Sequence, residues 1–229
     1  MPLQLVIGNK NYSSWSMRPW VAMVQAGIPF EEHKLRLDLS PDSAFRQAVA
    51  RLSPAGRVPV LVVDGHAVWD TLAIAETLHE LFPDRGLWPA DSRQRARARS
   101  LCAEMHAGFS ALRSHCPMNI EAALPEVGQR VLAEQATVRA DLARIDAMWQ
   151  EQLAASGGPF LFGPFSHADA FYAPVAMRIR SYGLPVGDAA QAYVGRLCHT
   201  EAVSRWMADA LAEADFLDFD EPYRGARDD

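Results

Sequence analysis

Hydroxyl groups crowd the segment Asn11-Tyr12-Ser13-Ser14-Trp15-Ser16-Met17-Arg18-Pro19-Trp20, at Tyr12, Ser13, Ser14 and Ser16. The segment follows the apolar run Leu3 to Gly8 and opens a stretch of helical periodicity from about Ser16 to Ala26. At a helix start the first backbone N–H groups lack intrahelical partners and the dipole is positive, an environment that stabilises a nearby anion such as a thiolate. The same serines also suit plain capping, with Ser16 best placed for it and Pro19 tolerated in the first turn. Tyr12 carries a further O–H, displaced from the serines, that either acts on a thiol or simply packs.

A second cluster is Ser53-Pro54-Ala55-Gly56-Arg57-Val58-Pro59-Val60-Leu61, followed by Trp69-Asp70-Thr71-Leu72-Ala73-Ile74. Asp70-Thr71 stands where a helix should begin. Such a pair can cap the helix or help its N–H groups take a carboxylate, and the two roles are compatible.

The elements needed to position these residues read as β-α-β, then a helical or irregular stretch over 41–52, then β-β-α. The β-type runs are Leu3 to Gly8, Phe30 to Leu37, Val60 to Val63 and Ala67 to Trp69, with a helix from Thr71 to Phe82. Asp64-Gly65 between the last two runs is a strong hairpin signal. This predicts a small mixed sheet with helices on its faces. The breaker-rich loop Pro83-Asp84-Arg85-Gly86-Leu87-Trp88-Pro89 then sets a boundary over 83–92, beyond which the pattern is helical. The period is clearest over 131–154, where Val131, Val138, Leu142, Ile145, Trp149 and Leu153 fall on one face. The expected division is 1–82, a linker at 83–92, and an all-helical part over 93–229. From about 221 the chain has too little apolar surface to dock and is expected to be a flexible tail.

In this order and spacing the motifs resemble the soluble glutathione transferase superfamily, and the serine-rich turn looks most like a bacterial branch near the zeta class, which includes maleylacetoacetate isomerase-like proteins. The resemblance covers nearly the whole chain: the serine turn, Leu52 to Leu61, the Asp64-Gly65 hairpin, the acid-hydroxyl pair before Leu72-Ala73-Ile74, and the helical second half. It implies a thioredoxin-like β-α-β-α-β-β-α first domain and an all-α second domain. It also implies that Ser13, five positions before Arg18, activates the glutathione thiol by donating a hydrogen bond to the sulfur, with Ser14 its rival; a bond to the charged form lowers a thiol's pKa. Glutathione, the co-substrate, would be bound by Arg57, Val58, Pro59, Asp70 and Thr71, with a cis Val58–Pro59 bond presenting the Val58 backbone. X–Pro is where cis bonds occur, and an extended peptide pairs with an exposed strand edge. The family usually has Glu or Gln before Ser where this chain has Asp70-Thr71, and its cysteine-based patterns are absent because no cysteine precedes Cys102.

On the helix expected to face the first domain, Met105, Phe109 and Arg113 recur every four residues and, with Trp15, suit an apolar second-substrate pocket with one cation, or else core packing. Ser166 and Asp169 read as a capping box. The resemblance implies a transferase acting on a small electrophile. Its variants are a glutathione-dependent isomerase of a maleyl-type acid, with Arg113 or Arg178 holding a carboxylate, and a non-catalytic binding protein; a homodimer is also implied.

Composition sets the outer limits. With 229 residues, 49% hydrophobic, the chain can bury a real core. A net charge of −6 argues against nucleic acid or an anionic membrane as partner. No run is long enough to span a membrane, no signal peptide is seen, and Cys102, Cys116 and Cys198 are too few and too scattered for a disulfide framework, so a cytoplasmic location is expected. The seven histidines show no metal-ligand spacing, and no metal site is expected.

Overall fold

Leu5, Val6 and Ile7 in Leu3–Ile7 (β1) are fully buried, which makes this strand the centre of the sheet. The computed structural model describes residues 2–227. Glu31–Lys34 (β2) pairs with β1 in parallel, and Val60–Val63 (β3) pairs with β1 antiparallel on the other side. His66–Trp69 (β4) pairs antiparallel with β3, giving the order β2-β1-β3-β4. The hairpin turns on Asp64 and Gly65, both with positive φ (47° and 83°), as a tight two-residue turn requires. Every residue of β2 is exposed, so the strand is shorter than the run Phe30 to Leu37 and forms a charged edge.

Helices Ser14–Gln25 (α1), Ala44–Leu52 (α2) and Thr71–Leu81 (α3) complete the β-α-β-α-β-β-α unit. After a 3-10 turn at Pro83–Arg85 the rest is helical: Ser92–Ala107 (α4), Ser110–His115 (α5), Pro125–Glu134 (α6), Ala136–Ser156 (α7), His167–Tyr182 (α8), Asp188–Cys198 (α9) and Glu201–Glu213 (α10), then a last 3-10 turn at Asp218–Asp220. The fold is thus a thioredoxin-like first domain followed by a helical second one.

Helix α8 is the axis of the second domain, all its residues but Arg180 being buried. Helix α1 packs against both α8 and α10, so Met17, Trp20 and Val21 join one apolar core that runs through both domains. Burial of such side chains contributes about 1.5–3 kcal/mol each, which makes the inter-domain face a packed core rather than a hinge. The capping box forms at the start of α8: Asp169 accepts the Ser166 backbone N–H at 2.8 Å, and also bonds Leu161 N–H and the Tyr193 hydroxyl.

Three expectations need correction. The periodic stretch 131–154 is two helices that break at Gln135, and Val131 lies on the first; the buried face continues across the break, which hides it from periodicity. The helix carrying Met105 also ends, at Gly108, and Phe109 adopts a left-handed conformation (φ 53°), so Met105, Phe109 and Arg113 do not share a helix. The segment from 221 onward is docked as far as it is described, with Glu221 and Arg224 buried and paired to each other at 2.5 Å. It docks by charge and hydrogen bonds, which an apolar-surface argument does not count. Residues 228 and 229 of the expected tail lie outside the described residues.

Candidate functional site

The turn between β1 and α1 is built by side-chain hydrogen bonds to backbone. Ser13 is the N-cap, its Oγ accepting from Ser16 N–H at 3.4 Å, and it donates to Ser16 Oγ at 2.7 Å. Ser16 Oγ in turn accepts the Gly8 N–H at 3.1 Å. The cap is therefore Ser13 rather than the expected Ser16, which lies within the first turn and ties the helix to the strand. Because the helix starts at Ser14, Pro19 falls in its second turn, where its missing N–H leaves Trp15 C=O without the usual donor. Ser14 Oγ accepts from Arg178 Nη2 at 3.4 Å. Tyr12 lies beside these serines, but its hydroxyl is engaged elsewhere: it donates to Glu221 at 2.7 Å and accepts Leu217 N–H, and burial together with Glu221 raises its pKa far above the ordinary value.

Two adjoining cavities open onto this turn. The larger, about 440 Å3, is lined by Ser13, Ser14, Arg113, Arg178, Phe219 and Asp220, among others. The smaller, about 340 Å3, is lined by Pro59, Trp69, Asp70, Thr71 and His106. Trp15, Arg57 and Val58 line both, so the two are parts of one cleft. Met105 and Phe109 line neither; both are buried in the core.

The Val58–Pro59 bond is cis, and among the described residues the Val58 backbone takes part in no hydrogen bond. Its N–H and C=O are therefore open to an extended peptide. Asp70, in the unusual conformation φ 74°, ψ 131°, caps α3 by accepting Leu72 N–H at 2.9 Å. A non-glycine residue held there carries about 1–3 kcal/mol of strain, which such sites retain where function needs the geometry. His106, from the second domain, places Nε2 3.3 Å from Asp70 Oδ2 and stacks edge-on against Trp15 at 5.1 Å.

The cleft is also markedly cationic. Arg18, almost fully buried, reaches Thr71 Oγ1 at 3.5 Å and lies 4.2 Å from the Trp15 ring. Among the described residues none of Arg18, Arg113 and Arg178 forms an ion pair with a carboxylate. Burial, with Arg178 nearby, pulls Arg18 down to about 9, and burial, with Arg113 nearby, pulls Arg178 down to about 10. Arg18 and Arg178 remain charged at neutral pH, and both charges lie close enough to the serine turn to favour a thiolate there.

Sequence reasoning passed over His106, Phe219 and Asp220. The first was weighed only as a metal ligand, and no group of metal-binding residues occurs among those described. The other two follow α10 in Asp215-Phe216-Leu217-Asp218-Phe219-Asp220, whose alternation of acids and apolar residues was the available signal.

Comparison with known proteins places this arrangement. Residues 12–81 match the family model "Glutathione S-transferase, N-terminal domain" and residues 92–209 match "Glutathione S-transferase, C-terminal domain". A probable maleylacetoacetate isomerase of Caenorhabditis elegans is 34% identical over 100 residues, 44% of this chain and 45% of the worm protein. The maleylacetoacetate isomerase of Rattus norvegicus is 31% identical over 117 residues, 51% of each. The chain therefore spans about half the length of the curated relatives it matches. A glutathione transferase homologue from Burkholderia, solved with bound glutathione, superposes with a TM-score of 0.68 at 23% identity, covering 93% of this chain and 99% of that one. A bacterial zeta-class maleyl pyruvate isomerase does so at 0.66 and 21%, covering 89% and 95%. At such identities the likeness speaks for the fold, and the two family models, which between them take in both domains, speak for descent: the chain belongs to the glutathione S-transferase family.

Proposed function

We propose that the protein is a glutathione transferase in which Ser13 stabilises the glutathione thiolate for attack on a small electrophile. The observation that carries this reading is the continuity of the cleft. A tripeptide thiol whose γ-glutamyl carboxylate meets Thr71 and the start of α3, and whose cysteinyl backbone pairs with Val58, directs its sulfur along Trp15 toward Ser13 and Ser14. Thiolate stabilisation and proximity then supply the catalysis. The hydroxyl of Ser13 donates to the sulfur in place of Ser16, and the positive charges of Arg18 and Arg178 favour the ionised form.

A second reading is favoured by a specific observation. Arg113 and Arg178 line the larger cavity and have no carboxylate ion-pair partner among the described residues, as a glutathione-dependent isomerase of a maleyl-type acid would require. The proteins named isomerases among the relatives point the same way. A non-catalytic glutathione carrier would bind without turnover. A cytoplasmic homodimer, implied by the family, belongs to this proposal; no helix among the described residues is long and apolar enough to cross a membrane.

Glutathione is expected to raise the melting temperature, because a ligand that binds only the native state adds about 2.7 kcal/mol at a hundredfold excess over Kd. An unchanged Tm in millimolar glutathione would remove the binding site from the proposal. Conjugation of aryl halides against isomerisation of a cis unsaturated dicarboxylate, compared on the same preparation, separates the two reactions. Absence of both with a retained Tm shift leaves the carrier. Sedimentation of that preparation should give twice the chain mass of 25.3 kDa, and a monomer at micromolar concentration rejects the dimer.

A further inference from the structure

The segment after α10 carries an acid into a cavity whose other charged lining residues are arginines. It turns at Ala214 (φ 49°) and runs through the 3-10 turn Asp218–Asp220, so that Phe219 and Asp220 join the wall formed in part by Arg57, Arg113 and Arg178. The segment is fixed on both sides of that turn. Before it, Arg36 grips both oxygens of Asp215 at 2.8 and 2.9 Å. After it, Glu221 accepts from Tyr12 Oη at 2.7 Å and Asn119 Nδ2 at 2.8 Å, and Tyr223 Oη donates to His115 C=O at 2.7 Å.

Among the described residues Asp220 is the one carboxylate lining this cavity, and its side chain accepts no hydrogen bond. Burial and the neighbouring Glu221 push it up to about 6, against the pull of Arg178, so it is largely ionised at neutral pH. Arg178 already donates from each of its three nitrogens to a neutral acceptor: Cys116 C=O at 2.9 Å, Pro174 C=O at 3.2 Å and Ser14 Oγ at 3.4 Å. What that guanidinium lacks is a counter-charge, and Asp220 is the acid that supplies one through space. Phe219 and Leu39, two of the large apolar side chains left exposed, line the same cavity and suit an uncharged aryl body.

We propose that Asp220 is a specificity-determining residue of the acceptor cavity: its charge, on the wall it shares with Arg178, opposes a second carboxylate, so that an uncharged electrophile is taken in preference to an isosteric one bearing a carboxylate. The inference rests on the transferase reading for the identity of the cavity. It also separates the two reactions considered above, since a maleyl-type dianion would have to enter against this fixed charge. Selectivity of this kind comes from repulsion of the wrong ligand as much as from attraction of the right one.

The test uses two ready-made conjugates, S-(4-carboxy-2-nitrophenyl)glutathione and its 4-carbamoyl isostere, titrated calorimetrically into the full chain. Wild type should prefer the carbamoyl conjugate. Asp220→Asn should tighten the carboxy conjugate about tenfold while the carbamoyl conjugate changes by less than about twofold, the size expected for removing one like charge from a half-buried site. Asp220→Glu should keep the wild-type ratio. An Asp220→Asn variant that shifts both conjugates equally, or neither, overturns the proposal, as does failure of both to bind wild type. Wild type that binds the pair with the expected ratio yet turns over neither parent aryl chloride refutes the transferase reading and leaves the selectivity standing.

Discussion

Ser13→Ala should cut kcat/KM with an aryl halide by about ten- to a thousandfold, equivalent to roughly 1.4–4 kcal/mol of transition-state stabilisation, with glutathione affinity little changed. The same substitution should raise the pKa of bound glutathione, read from thiolate absorbance against pH. Since Ser13 is also the N-cap of α1, it should cost about 1 kcal/mol of stability as well. Ser16→Ala tests the tie between the helix and the strand. It strands the buried Gly8 N–H, for about 1–3 kcal/mol, and frees the Ser13 hydroxyl from its present partner. Stability should therefore fall more in Ser16→Ala and turnover more in Ser13→Ala. Full activity in Ser13→Ala with loss in Ser14→Ala would move the thiol-activating role by one residue; full activity in both would remove hydroxyl catalysis from the proposal.

Glu221→Ala should be the most destabilising single change at the edge of the site. The carboxylate is buried, pairs with Arg224 at 2.5 Å, and accepts from Tyr12 and Asn119; although burial works against it, these bonds hold its pKa below the usual range. Removing it leaves the buried Arg224 with Glu121, at 3.8 Å, as its one remaining carboxylate among the described residues, so the cost should approach that of a broken buried pair, about 3–5 kcal/mol. Chemical denaturation should show that loss, and joint replacement by Glu221→Leu and Arg224→Met should recover only part of it, because the buried guanidinium is then gone while the Asn119 amide still lacks its acceptor. A loss below about 1 kcal/mol in Glu221→Ala would mean that the segment is not held as described.

The legible parts of this chain were those whose cause is local. Asp64-Gly65 announces its hairpin because few residues accept two successive positive φ values. Val60 to Val63 reads as a strand because it is β-branched and bounded by turn formers. Ser13, Ser14, Arg57, Val58, Asp70 and Thr71 follow from the family resemblance that the motifs carry, and the fold brings them to one cleft. What stayed hidden depends on partners distant in sequence. Ser13 and Ser16 are chemically alike, and which one caps depends on the residue at which α1 begins, with Ser16 held instead by the Gly8 N–H. Met105 and Phe109 have the right spacing for a shared face, but Gly108 breaks the helix between them and the core claims both. The segment from about 221 reads as polar and loose because Tyr12 and Asn119, which hold Glu221, lie one to two hundred residues away.

The long reach of those bonds bears on how the molecule is made. Lys10, set between the Trp20 and Trp206 rings, pairs with Asp209, its N–H donates to Glu213, and Asn9 bonds Asp215. A nascent chain that has emerged only as far as α9 already holds the whole sheet and the serine turn in sequence, yet none of these anchors. Non-local closures of this kind are slow, and they wait on synthesis. The loop that leads into the Ser13 turn is thus among the first segments translated, yet Asn9 and Lys10 gain these partners only after α10 and the segment beyond it have been made.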